Sequence, residues 1–324
     1  MHSEERLLRR RDASRAARRR RRTAAALVLV AAAAAAVVLV ATSGGGTASP
    51  SRIHSRAPST ASAGGRSHQS PASPGASSAA GATGPARSTP VPILMYHVIA
   101  PPPAGAPFPG LYVTPSEFAA QMHALRDAGW RPTTLDRLAS YWRGGATLGA
   151  GKPIVLTFDN GYQSQYTQAL PVLRGLGWVA DENIQLSGLP PSQGGLGEGE
   201  VRELVADGWE LDTQGISHAD LVALDPEALH YQVAVARETL RRRYHVPVNW
   251  FCYPSGHYNA AVIAAVRAAG YVGSTTVIPG WAHPGEDPYR LHRLRVLGGT
   301  SPTALLEQIA SSQGEPPAPS SYGA

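Results

Sequence analysis

Cysteine is almost absent from this 324-residue chain. Cys252 stands alone, so no intramolecular disulfide holds the fold. A domain of this size can be stable on its apolar core without one, even in an oxidising compartment. Cys252 lies in the apolar run Trp250-Phe-Cys-Tyr253, which marks a buried, inert thiol rather than a nucleophile. No cysteine adjoins the N-terminal apolar segment, which excludes a lipoprotein anchor. No Gly-rich phosphate loop follows a strand-like segment, which argues against a dinucleotide fold. No Gly-x-Ser-x-Gly elbow occurs, and Ser217 and His218 are sequence neighbours, so a serine acyl-enzyme has no support. An internal repeat is also missing.

What charge there is lies unevenly. The net charge is +6, but residues 1–22 carry +7 and residues 43–90 carry +4 with no acid, leaving −5 for the remainder. The high isoelectric point therefore belongs to the N-terminal quarter and does not argue for nucleic-acid binding. Residues 24–41 are uninterrupted apolar. As a helix they would rise about 27 Å, close to the hydrocarbon thickness of a bilayer. The Arg cluster ahead of them places the N-terminus in the cytoplasm by the positive-inside rule. The expectation is a single-pass cell-membrane protein with its main domain outside. The rival is secretion after cleavage of a signal peptide.

This gives five segments: a basic cytoplasmic tail (1–23), a transmembrane signal-anchor (24–41), a disordered Ser/Ala/Gly/Pro linker (42–90), a folded domain (91–312) and a flexible tail (313–324). The linker would span about 35–40 Å as a random coil, enough to reach into a cell-wall layer. Within 91–312, apolar strand-like runs alternate with amphipathic helical stretches. Strands are expected at 93–99, 153–158, 179–186, 209–212, 249–253, 273–277 and 291–296. Helices are expected at 118–128, 135–142, 167–176, 199–207, 226–244 and 260–269. Repeated strand–helix units imply a mostly parallel sheet with helices outside, either open or closed into a barrel. Polar clusters fall at the strand ends: His97, Asp159-Asn160, 212–218 and 253–257. That convergence favours the barrel, where chemistry collects at the C-terminal ends of strands.

The most informative of these ends is Thr157-Phe-Asp159-Asn160-Gly161. It nearly spells an acidic pair, the usual start of a metal-assisted hydrolase, except that the second acid is an amide. Each residue has a bland alternative. Asp159 could cap a turn, and Asn160-Gly161 is a good turn pair. Gln214 could be a hydrogen-bonding loop residue, His218 a backbone partner and His97 a core histidine. The Gly/Pro-rich stretch 186–199 beside the mouth reads as a substrate-contacting loop or an ordinary connection.

Three motifs carry a resemblance: Thr157-Phe-Asp-Asn-Gly161, then Glu210-Leu-Asp-Thr-Gln-Gly-Ile-Ser-His218-Ala-Asp-Leu221, then Trp250-Phe-Cys-Tyr-Pro-Ser-Gly256. In this order the chain resembles the polysaccharide deacetylases, carbohydrate esterase family 4 or NodB-like, over about residues 91–300. Ile93-Leu-Met-Tyr-His97 and Leu291-His-Arg293-Leu-Arg-Val296 resemble the subgroup acting on exopolysaccharide or peptidoglycan. The resemblance implies a (β/α) barrel, seven-stranded and imperfectly closed, that hydrolyses acetyl groups on a cell-wall or extracellular polysaccharide. Asp159 falls on the general base, and Asn160, Gln214 and His218 fall on the three ligands of a divalent metal, zinc or another. His97, His257 and His292 are the candidates for the general acid, and Tyr253, Pro254 and Ser255 for the substrate groove. Asn160 and Gln214 replace an acid and a histidine, which weakens metal binding. The family's arginine that steadies the base has no evident counterpart in the third motif. Three functions follow: a membrane-anchored N-deacetylase with altered metal use, a catalytically silent glycan-binding relative, and a hydrolase in which Asp159 activates water without metal.

Overall fold

The computed structural model describes residues 88–187, 189 and 194–323. The expected basic tail, the apolar span and all but the end of the expected linker lie outside the described residues. Among those described, no helix is long and apolar enough to cross a membrane.

The strands are β1 (Val91–Tyr96), β2 (Trp130–Thr133), β3 (Lys152–Asn160), β4 (Asp181–Ile184), β5 (Glu210–Thr213), β6 (Trp250–Cys252), β7 (Gly273–Thr275), β8 (Trp281–Ala282) and β9 (Leu294–Arg295). Strands β1, β3, β4, β5, β6 and β7 pair in parallel in that order. The free edge of β1 takes β9, also in parallel. A bridge between Thr275 and Leu291, just ahead of β9, joins β7 to that edge. Seven parallel strands thus curl into a barrel whose seam is one bridge and a few backbone hydrogen bonds, the imperfect closure that the family resemblance implied. Two strands the sequence reading missed lie off this ring. β2 pairs with the first half of β3, and β8 runs antiparallel to the start of β1.

The helices are α1 (Pro115–Asp127), α2 (Leu135–Trp142), α3 (Leu170–Leu176), α4 (Glu198–Ala206), α5 (Pro226–His230), α6 (Ala236–Tyr244), α7 (Ala260–Ala268) and α8 (Pro302–Ser311). Their starts follow from local chemistry. Thr114 caps α1 in a capping box with Glu117, and Pro115 supplies the first helical φ. Asn259 and Ser301 cap α7 and α8 in the same sense. The expected long helix 226–244 is in fact interrupted. Between α5 and α6 the backbone widens into a π turn, Tyr231–Val235, and a second π turn, Gln165–Ala169, precedes α3.

Side chains alternate across the barrel wall. Leu94, Tyr96, Leu156 and Phe158 face outward onto Phe118 and Met122 of α1, Leu173 of α3 and Leu305 of α8. Ile93, Val155 and Trp250 face inward, where Leu135, Leu138 and Trp142 of α2 pack against them and close the N-terminal end. Chemistry is left to the other end. Residues 313–323, expected as a frayed tail, instead run back over the domain. Tyr322 pairs with Tyr258 through both backbone hydrogen bonds, and the carbonyls of Ala318 and Pro319 accept from Arg290 and from the Tyr258 hydroxyl.

Candidate functional site

Asp159 is the inward-facing residue one position before the end of β3, and it is almost wholly buried. Its register partner on β4, Asn183, donates Nδ2–H to Oδ1 at 2.9 Å. The dominant partner is Arg293, from the segment that closes the barrel seam. Its guanidinium meets the carboxylate as a fork, Nη1 to Oδ1 at 2.7 Å and Nη2 to Oδ2 at 2.9 Å. Arg293 is itself fully buried and donates further to the Thr276 carbonyl, the Thr157 hydroxyl and the Cys252 sulfur. Burial pushes the Asp159 carboxyl up, but the Arg293 charge and hydrogen bonds outweigh it and bring the pKa down to about 2. Asp159 is ionised at every physiological pH. The arginine that sequence comparison could not place in the third motif therefore comes from Leu291-His-Arg293-Leu-Arg-Val296, a motif noted without a role.

His97 follows β1, and its Nε2 lies 3.9 Å from Asp159 Oδ2. Burial lowers its pKa to about 4 against the opposing pull of Asp159, so the ring is neutral at pH 7. Its Nδ1 is buried without a partner. Asn160 ends β3 with φ of +80°, followed by Gly161 at +85°. The turn expected from the Asn-Gly pair is present, and a Cβ on Gly161 would lie 2.7 Å from Ile184. Asn160 Nδ2 donates to Gln185 Oε1 at 3.0 Å, and the Gln185 amide in turn donates to the Ser187 carbonyl. Gln214, just beyond β5, is buried, and its Oε1 has no partner. His218 stands on the same loop at φ +53°, half-buried; burial lowers its pKa while Asp159 opposes the shift. Asn160, His218 and Ser255 are three of the five non-glycine residues with positive φ among those described. Such strain persists where surrounding contacts enforce it.

For Asn160 and His218 the bracing contacts come from the two π turns. Gln165 Nε2 donates to the carbonyls of His97 and Asp159, at 2.9 and 2.8 Å, tying the ends of β1 and β3 together. Gln232 Oε1 accepts the backbone N–H groups of Ile216 and Ser217, and its Nε2 donates to the Ser217 hydroxyl, which fixes the His218 loop. A π turn shifts the helical register by one residue and aims these glutamines inward. Neither glutamine was legible as a functional residue.

These groups meet at the floor of a cleft of about 680 Å³. His97, Asp159, Asn160, Gln185, Gln214 and His218 line it below. Phe108, Tyr112, Tyr162, Leu189, Tyr253 and Ser255 form its walls and rim. Phe108 is 68% exposed. Tyr253 presents only its ring, since its hydroxyl donates to the Tyr289 carbonyl. Pro254 does not line the cleft. Two expected general acids are also absent from it. His292 is held between Glu286 and the Pro316 carbonyl beside a different, smaller cavity. His257 pairs with Asp220 at 3.0 Å, outside the cleft lining. Cys252 is fully buried, and burial raises its thiol pKa, as expected of an inert sulfur.

The residues aligned with the metal ligands do not suit zinc. They offer two neutral carboxamides and one imidazole, whereas zinc is held by thiolate, imidazole and carboxylate. The nearby carboxylate cannot add charge, because Arg293 already neutralises Asp159. The orphaned Gln214 Oε1 is an acceptor that suits a substrate N–H as readily as a cation.

Comparison with known proteins places this geometry. A family model described as "Polysaccharide deacetylase" matches residues 149–274. The chain is 31% identical over 222 residues to YxkH of Bacillus subtilis, which is named as a polysaccharide deacetylase; the match covers 68% of this chain and 76% of that protein. A 68-residue stretch is 40% identical to the poly-beta-1,6-N-acetyl-D-glucosamine N-deacetylase of Escherichia coli K12, covering 21% of this chain and 10% of that enzyme. The deacetylase PplD of Streptococcus pyogenes, solved with acetate, superposes with a TM-score of 0.63 at 25% identity, over 71% of this chain and all of that one. BA0330 of Bacillus anthracis, assigned by name to the polysaccharide deacetylases, gives 0.60 at 28% identity, over 70% of each chain.

Proposed function

Because this chain belongs to the polysaccharide deacetylase family, we propose that it is a hydrolase removing N-acetyl groups from a cell-envelope glycan. In this proposal residues 24–41 hold it at the membrane, and the barrel works on the outer side. The Arg-flanked apolar span and the linker support that placement; the Escherichia coli relative, named for an N-acetylglucosamine polymer, supports an amino-sugar substrate.

The observation that carries the chemistry is an ionised carboxylate, Asp159, beneath the neutral imidazoles of His97 and His218 on the floor of an aromatic-walled cleft. With a pKa of about 2, Asp159 accepts a hydrogen bond from water well but takes a proton poorly. It orients the attacking water and stabilises a neighbouring imidazolium, as its upward pull on the His218 pKa indicates. His218 takes the water proton as oxygen attacks the acetyl carbonyl carbon. It returns that proton to the leaving nitrogen as the C–N bond breaks, giving acetate and a free amine. Gln214 bonds the acetamido group, and the ring faces of Phe108 and Tyr162 flank the sugar. No step passes through a metal, because the aligned ligand set is neutral.

The test is acetate release from N-acetylchitooligosaccharides and peptidoglycan fragments. Activity in the native protein that is lost in Asp159→Asn and in His218→Ala supports the proposal. The same amide pair also favours a second role, a silent glycan-binding relative. Saturable glycan binding with no acetate from the native protein would establish that role instead.

A further inference from the structure

Away from the cleft, near the N-terminal end of the barrel, lies a group of acids that the cleft chemistry does not use. Asp181 opens β4, Glu210 opens β5, and Asp212 follows two residues on, so all three face the same side of the sheet. One carboxylate oxygen from each lies within 4.8 Å of the other two. Asp181 and Asp212 are fully buried.

A backbone donor orients one oxygen of Asp181 and of Asp212, and both oxygens of Glu210 share a third. Asp181 Oδ1 accepts the Leu135 N–H at 2.9 Å, and Asp212 Oδ1 accepts the Trp250 N–H at 2.8 Å. Glu210 accepts the Asp136 N–H at the start of α2. The second oxygens, Asp181 Oδ2 and Asp212 Oδ2, are buried and have no partner. The largest charges acting on these two are their fellow acids, Asp136 included; the Arg237 guanidinium is a weaker opposing charge on Asp212 and makes no hydrogen bond to it. Asp136 gives no relief, since its own oxygens accept from Asn249 and Trp250.

Two buried, unpartnered carboxylate oxygens call for a proton or a cation. Oxygens around a hard divalent ion at 2.3–2.6 Å, separated by right to trigonal angles, stand about 3.3–4.5 Å apart. The three oxygens, within 4.8 Å of one another, lie at or just outside that range, so a bound ion would draw them slightly together. An all-oxygen donor set with three carboxylates selects a hard ion over zinc. The backbone N–H donors to these carboxylates act as the supports that orient ligands in metal sites.

We propose that Asp181, Glu210 and Asp212 form a structural site for a hard divalent cation that ties the start of α2 to β4 and β5. This site is separate from the cleft and independent of whether the cleft hydrolyses anything. The partly exposed Glu210 is its entrance.

The test uses the full-length protein stripped with EDTA, exchanged into chelator-free buffer and titrated with Ca²⁺, Mg²⁺ or Mn²⁺ by calorimetry, with parallel thermal melts. One saturable site and a rise in Tm are expected for at least one of the three ions. Glu210→Gln and Asp212→Asn should each weaken binding at least tenfold, while His218→Ala in the cleft leaves it unchanged. In EDTA, Asp212→Asn should melt no lower than the native protein, because the substitution removes one buried charge. No saturable binding at millimolar ion would overturn the proposal. So would binding that survives Glu210→Gln but disappears in His218→Ala. Should Asp212→Asn not fold, Glu210→Gln alone decides.

Discussion

Asp159→Asn removes one charge from the most deeply buried ion pair among the described residues and leaves Arg293 with no anion. At the observed separation of 2.7 Å the two charges attract by about 6 kcal/mol at an effective dielectric constant of 20. Desolvating both ions offsets most of that, so the intact pair contributes little net stability. Breaking it is different, because a guanidinium without its counter-ion is then left fully buried. The expected cost is about 3–5 kcal/mol. Arg293→Met should cost a similar amount by stranding Asp159, which would keep only Asn183 and Cys252 as donors. The double variant carries neither charge, and its loss should fall short of the sum of the singles by at least about 2 kcal/mol. Guanidinium unfolding followed by tryptophan fluorescence measures all four proteins. Additive losses, or an Asp159→Asn protein as stable as the native one, would refute the claim that the Asp159 carboxylate and the Arg293 guanidinium are energetically coupled.

Three further outcomes follow from the same geometry. His97 is neutral when folded, with its pKa lowered to about 4 by burial, so the unfolded chain binds more protons below pH 6.5. Its contribution is therefore complete above that pH and is lost as pH falls towards 4, by roughly 3 kcal/mol; His97→Gln should flatten that part of the stability–pH curve. Glu182 is buried with both oxygens unpartnered, and burial raises its pKa well above the ordinary carboxylate range. Its favourable contribution is present below the unfolded pKa and lost as pH rises through the folded one, so Glu182→Leu should stabilise the protein by about 1–3 kcal/mol at neutral pH, read as a higher denaturant midpoint. Gln232→Ala strands the Ile216 and Ser217 N–H groups that hold the His218 loop; acetate release should drop on the order of tenfold or more while the circular dichroism spectrum is unchanged.

Some of this was readable in the chain and some was not, for physical reasons. β1 and β3 announce themselves as apolar runs because a parallel strand in this barrel is covered on both faces. Asp159 was legible because it ends such a run inside a short, specific motif. β2 was missed because Trp130-Arg-Pro-Thr133 alternates polarity over only four residues and contains proline. Arg293 was not legible as the partner of Asp159, since 134 residues separate them and only barrel closure brings them together. The π turns were invisible because a one-residue widening leaves the helical periodicity of the sequence intact. His257 and His292 were reasonable candidates as histidines near strand ends, but Asp220 and Glu286 claim their rings.

The central claim is that this cleft works with neutral amides where the aligned metal ligands would stand. The most direct measurement is acetate release from N-acetylchitooligosaccharides after exhaustive chelation, beside the variant Asn160→Asp/Gln214→His. Release that persists in chelator and disappears in His218→Ala is the expected result. Release that is lost on chelation and restored by zinc in the native protein would contradict it.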